Sequence, residues 1–279
     1  MALAAHHATL LVEKKSEIYT MSLDAKFYVI GAVAVIVLGL SKGGLAGVGM
    51  ISTPLLSIAV GPVTAAGLIF PILIVQDAIA VVMYRRSFSA TILATMLPGA
   101  AVGVALAYLF ASTVSEWSVE IALGVGSIAF ALHQLVRQFG RLRHRQKETG
   151  TLSWLGFVCG VGSGFTSMIA HAGSPPFQFY VMPKALDRDT YVGTSVLFFA
   201  VTNVMKAPAF FALGQLSTAQ LKVASVFIPL AIASSWLGVR LVRRIDTQRF
   251  NIVITLILLC VGATLCAQGV IGFAKNYFQ

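Results

Sequence analysis

Apolar residues run along nearly the whole chain in blocks, separated by short polar or glycine-rich breaks. The blocks cover 27–40, 45–60, 63–83, 90–111, 119–136, 152–170, 190–212, 218–242 and 250–272. A helix needs about 20 apolar residues to cross roughly 30 Å of hydrocarbon, and six or more blocks reach that length. The pattern predicts an all-α polytopic membrane protein of about eight full spans, or ten segments in total. No stretch is long or polar enough to form a separate soluble domain.

The breaks repeat. GLSKGGLAGVGMISTP (39–54) aligns with GVGSGFTSMIAHAGSP (160–175), so that Gly39, Gly43 and Pro54 fall on Gly160, Gly164 and Pro175. Further on, the run from Gly67 to Asp77 matches the run from Gly193 to Asn203, and each half then carries a later proline, Pro98 or Pro229. The chain therefore divides into an N-terminal tail (1–26), a first transmembrane repeat (27–140), a basic cytoplasmic linker (141–150), a second repeat (151–272) and a C-terminal tail (273–279). The first 20 residues have no basic start, continuous apolar core and small-residue cleavage site, and are expected to be a tail rather than a signal peptide.

Charge changes this picture by giving the halves a direction. The 85–86 break is Arg-Arg, but its counterpart at 213–217 has no basic residue; 112–118 is acidic, whereas 240–249 is strongly basic. Basic loops face the cytoplasm, so corresponding loops lie on opposite sides and the repeats are expected to be inverted. That needs an odd number of crossings per half: five if each glycine-broken pair crosses twice, three if it dips in and returns. The composition agrees with a membrane protein, being 57% hydrophobic and 11% charged against about 25% charged in soluble domains. The net charge of +10 lies in short loops at helix ends, which argues against a nucleic-acid partner.

In hydrocarbon, irregular backbone survives only where it is buried or lines a wet cavity. Glycine- and proline-interrupted segments at matching positions of two repeats point to a transporter binding site. Ser52-Thr53-Pro54 and Ser174-Pro175-Pro176 each look like an N-cap followed by a first-turn proline. Two such helix starts aim N–H groups and partial positive charge at an anion. The competing explanation is that the glycines serve close helix packing. The candidate substrate site comprises Ser41, Lys42, Gly43, Gly44, Gly49, Ser52, Thr53, Gly164, Ser174, Gln178, Asn203 and Lys206. Lys42 either belongs to it or snorkels to the surface. Asp77 either pairs with a lysine or carries a coupling proton, and His171 is the second candidate for proton coupling. No catalytic or metal-ligating constellation and no cofactor motif is present, the three cysteines included.

Two halves, each opening on a glycine-rich break with a proline behind it, resemble the TauE/SafE family of sulfite exporters and organosulfonate permeases. The resemblance covers about residues 27–270, and Lys42 within the first glycine cluster departs from the family's usual pattern. It implies a secondary transporter in the bacterial inner membrane for sulfite, sulfoacetate, arylsulfonates or related anions. A sulfonate stays ionised and offers three acceptor oxygens, which suits N–H groups, hydroxyls and a lysine. If several of Phe165, Phe177, Phe179, Tyr180, Phe198 and Phe199 line the cavity, an organic tail is favoured. The partners expected are the small anion, protons, the lipid bilayer and, as one possible assembly, a second copy in a homodimer. A passive anion channel with the same site is the alternative, as is a transporter of another small anion such as a carboxylate.

Overall fold

The computed structural model describes residues 25–43, 48–111, 115–139, 153–184, 186–241 and 247–277. Gly44, the 141–150 linker and nearly all of the N-terminal tail lie outside them. The described residues form ten α-helices and no strand. In chain order they are α1 (Ala25–Ser41), α2 (Ser52–Val60), α3 (Pro62–Tyr84), α4 (Ala90–Ala111), α5 (Glu116–Phe139), α6 (Trp154–Ala170), α7 (Ser174–Val181), α8 (Arg188–Ala212), α9 (Thr218–Leu241) and α10 (Thr247–Tyr277). A short 3-10 turn, Val48–Ile51, precedes α2. Six helices among the described residues, α3, α4, α5, α8, α9 and α10, are long and apolar enough to cross a membrane. α1 and α6 have 17 residues each and α2 and α7 only 9 and 8. At 1.5 Å per residue, a 17-residue helix is about 25 Å long, short of the hydrocarbon core.

Helix directions follow from which residues meet. α3 and α8 cross antiparallel: Phe70 stacks on Phe210 with ring centroids 4.4 Å apart, Asp77 meets Asn203, and Gly193 abuts the Tyr84 and Ser87 carbonyls. α5 and α10 are also antiparallel, with Gly124 against Gly262 and Trp117 against Gly269. By contrast α4 runs parallel to α6, α1 to α9 and α3 to α9. Since α1 and α3 therefore point the same way, α2 carries the chain back between them. The apolar faces close into clusters such as that of Phe27, Val35, Leu68, Ile72 and Phe227 between α1, α3 and α9.

The glycines of the second break do not break it. α6 continues through Gly160, Gly162 and Gly164 and ends only at His171. Its glycines let α4 approach backbone to backbone: a Cβ on Gly160 would lie 2.2 Å from the Met96 carbonyl oxygen, and one on Gly164 2.2 Å from that of Ala100. Small residues spaced by four are what allow such contact between membrane helices. Gly164 is thus a packing residue facing α4, not a lining of the site, as is Gly39, which lies against Ser234 on α9.

Candidate functional site: a charged cavity between two broken helices

The side chain that ends α6 is His171, whose backbone is left-handed (φ 53°), a region a non-glycine residue enters at a cost of about 1–2 kcal/mol. The turn is closed by the Ala172 N–H donating to the Thr166 carbonyl, 3.2 Å, and the His171 N–H donating to that of Ser167, 3.0 Å. The imidazole is held at both nitrogens. Lys206 Nζ lies 3.0 Å from Nδ1, and Nε2 lies 3.0 Å from the Ala66 carbonyl oxygen. An ammonium only donates, so Nδ1 accepts and Nε2–H donates, which defines a neutral ring. Phe70 and Phe210, stacked on each other, lie beside it.

Lys206 is fully buried. Its ammonium also donates to the Ser167 carbonyl and to Ser167 Oγ, each at 3.0 Å. All three of its N–H groups thereby reach uncharged acceptors. A second lysine, Lys42, follows the last residue of α1 and donates from Nζ to Asp77 Oδ1 at 2.5 Å. The other carboxylate oxygen of Asp77 accepts from Asn203 Nδ2 at 2.5 Å. A buried charge is retained only when paired or hydrogen-bonded, and Asp77, 3% exposed, is both. Two lysines against one aspartate leave this part of the interior one formal positive charge in excess.

Beside these groups lies a cavity of about 80 Å³. Of the candidate residues, Ser41, Lys42, Gly49, Thr53, His171, Ser174 and Asn203 line it. Ser167 and Ser195 line it too, together with Met50, Ile69, Leu73, Tyr191 and Phe199. Ser167 was legible in principle, lying one helical turn before His171; Ser195 has no such signal. Several expectations are corrected. Ser52 does not cap α2, because its hydroxyl donates to the Ala34 carbonyl at 2.9 Å and the cap position is Ile51. Ser174 does not cap α7 either: that position is Gly173, without a side-chain bond. Asp77 and Lys206 act on the cavity through the side chains they hold rather than lining it. Gly43, in the turn after α1, and Gln178, buried in α7, fall outside its lining. Of the aromatics, Phe199 lines it, Phe177, Tyr180 and Phe198 pack in a core, and Phe179 is 61% exposed on the outer surface.

A second, larger cavity of about 410 Å³ separates α7 from α5. It is lined chiefly by apolar side chains of α5, α6 and α7.

Long apolar helices around a buried, cation-bearing cavity define a multi-pass membrane protein rather than a soluble binding module. The chain belongs to the TauE/SafE family: the model for "Sulfite exporter TauE/SafE" matches residues 31–265. The family is one of membrane transporters, and membership implies a small anionic substrate. No curated protein and no solved structure matches the chain.

Proposed function

We propose that the chain is a secondary transporter of sulfur-containing anions (organosulfonate, arylsulfonate or sulfite) across the bacterial cytoplasmic membrane. It works by alternating access of two inverted repeats and is proton-coupled. The observation that carries this reading is the pairing of Asp77 with Asn203, each the other's counterpart in the repeat. Two equivalent positions touch only on the axis that relates their repeats. The same offset turns the Phe70–Phe210 contact into Val196–Tyr84, and those two share a cluster. The offset aligning Pro54 with Pro175 also pairs Thr53 with Ser174 and Met50 with His171, and all four line the cavity.

Counterpart helices that cross antiparallel support inverted insertion, and the turn-back at α2 and α7 supports two re-entrant hairpins with three full crossings per half. In this arrangement the α2 and α7 starts converge on the cavity, where their dipoles and the lysines favour an anion. The Thr53, Ser174 and Ser195 hydroxyls and the second N–H of the Asn203 amide supply donors.

Coupling falls to Asp77 rather than His171. A proton on His171 Nδ1 would set a second cation against Lys206, whereas Asp77 shares its lysine with the cavity. An arriving anion that draws Lys42 away leaves the Asp77 carboxylate buried without its cation, and taking up a proton relieves it. The dependence of binding on pH tests this. Sulfonate binding is expected to take up a proton, measured by titration calorimetry in buffers of different ionisation enthalpy. Asp77→Asn is expected to abolish that exchange while retaining binding; proton exchange unchanged in Asp77→Asn rules out Asp77 as the carrier.

A further inference from the structure

The two cavities share a wall. Met50 lines both, and successive residues of the α6–α7 turn alternate between them: His171 and Ser174 face the small polar cavity, Ala172 and Pro175 the large apolar one. The volumes decide what each can take. A cavity of about 150 Å³ accepts a benzene ring, so the polar cavity of about 80 Å³ has room for an oxyanion group and not for a ring beside it. The apolar cavity of about 410 Å³ has ample room for a ring or a short chain. Its lining contains no lysine or arginine to anchor an anion. The polar residues in its lining are Ser127, Thr166 and His133, and the Thr166 hydroxyl is already bonded to the Gly162 carbonyl at 2.8 Å.

We infer that the apolar cavity between α5, α6 and α7 is the tail subsite of an amphipathic sulfonate whose anionic head sits in the polar cavity. The inference rests on the anion site proposed above and adds the substrate class: a sulfonate carrying an aryl or short alkyl group, in preference to bare sulfite. Met50 stands between head and tail. Its side chain is unbranched and adaptable, so it swings aside for a tail and closes behind a small anion.

Gly126 makes the test clean. It lines the open α5 side of the apolar cavity, where it is exposed, and a Cβ built on it meets nothing within 4 Å, so a larger side chain is accommodated at this wall without displacing the helix. Binding of methanesulfonate, 1-butanesulfonate and benzenesulfonate to the purified full-length protein is measured by calorimetry, with wild type and Gly126→Leu. Burial of the tail predicts that wild type binds the butyl and phenyl compounds on the order of tenfold or more tighter than methanesulfonate. Gly126→Leu is expected to erase that difference and leave methanesulfonate unchanged. Equal affinity for all three in wild type overturns the tail subsite and leaves the anion site standing; a lipid chain resident in the cavity gives this result. A difference that survives Gly126→Leu overturns it equally. Failure of all three, methanesulfonate included, defeats the anion site itself and the tail subsite with it.

Discussion

Lys42 and Asp77 form the contact on which most depends. Removing one partner of a buried ion pair leaves an uncompensated charge, at about 3–5 kcal/mol, whereas replacing both is far milder. Lys42→Ala is therefore expected to lower the thermal stability of the detergent-solubilised protein substantially. Lys42→Met combined with Asp77→Asn should recover most of the loss without restoring anion binding. A double variant whose loss equals the sum of the two single losses would contradict the pairing. At this scale the sequence singled out charged side chains that the fold brings into contact, because a lysine or aspartate inside an apolar block has few explanations. It was silent about partners. Nothing in the spacing says that Lys42 goes to Asp77 and Lys206 to His171, since both bonds join helices distant along the chain. Ser52 and Ser174 misled for a related reason: a hydroxyl before a proline fits a cap, but at Ser52 a neighbouring helix offered the carbonyl of Ala34 instead.

Among the elements, the glycine runs carry two different duties that look alike in sequence. Around residues 39–49 the helix does stop, at Ser41. Around 160–164 it does not: glycine lowers helix propensity by only about 1 kcal/mol per residue, and here it permits the backbone contact with α4. Gly160→Ala forces a Cβ to 2.2 Å from a carbonyl oxygen, while at Gly162 the nearest atom is 3.5 Å away on Pro176. Overpacking costs typically about 1–3 kcal/mol. Gly160→Ala is expected to destabilise by at least that much, and Gly162→Ala to be neutral or slightly stabilising, as followed by thermal unfolding. Equal effects would mean that α4 and α6 are not in backbone contact.

For the whole molecule, helix directions and charge agree. With α3 and α9 parallel, their C-terminal ends, marked by Arg85, Arg86 and Arg240, lie on one side, and the start of α8 with Arg188 joins them. The connection between α8 and α9, without a basic residue, lies on the other. The asymmetry of basic residues was legible in the sequence. The return of α2 and α7 was not, because an apolar run of a given length does not reveal whether it crosses or turns back. In a background without Cys159, Cys260 and Cys266, a cysteine at Arg86 is expected to react with an impermeant reagent from the cytoplasmic face only, and one at Thr218 from the external face only. Reaction of both from the same face would refute inverted halves.

The central claim is that a sulfur-containing anion is carried through the cavity at Lys42. Counterflow of a radiolabelled sulfonate in proteoliposomes preloaded with unlabelled substrate tests it most directly. Wild type is predicted to accumulate label transiently above its external concentration, and Lys42→Met to show none. Label that only equilibrates in wild type would make the protein a channel, and undiminished counterflow in Lys42→Met would place the substrate elsewhere.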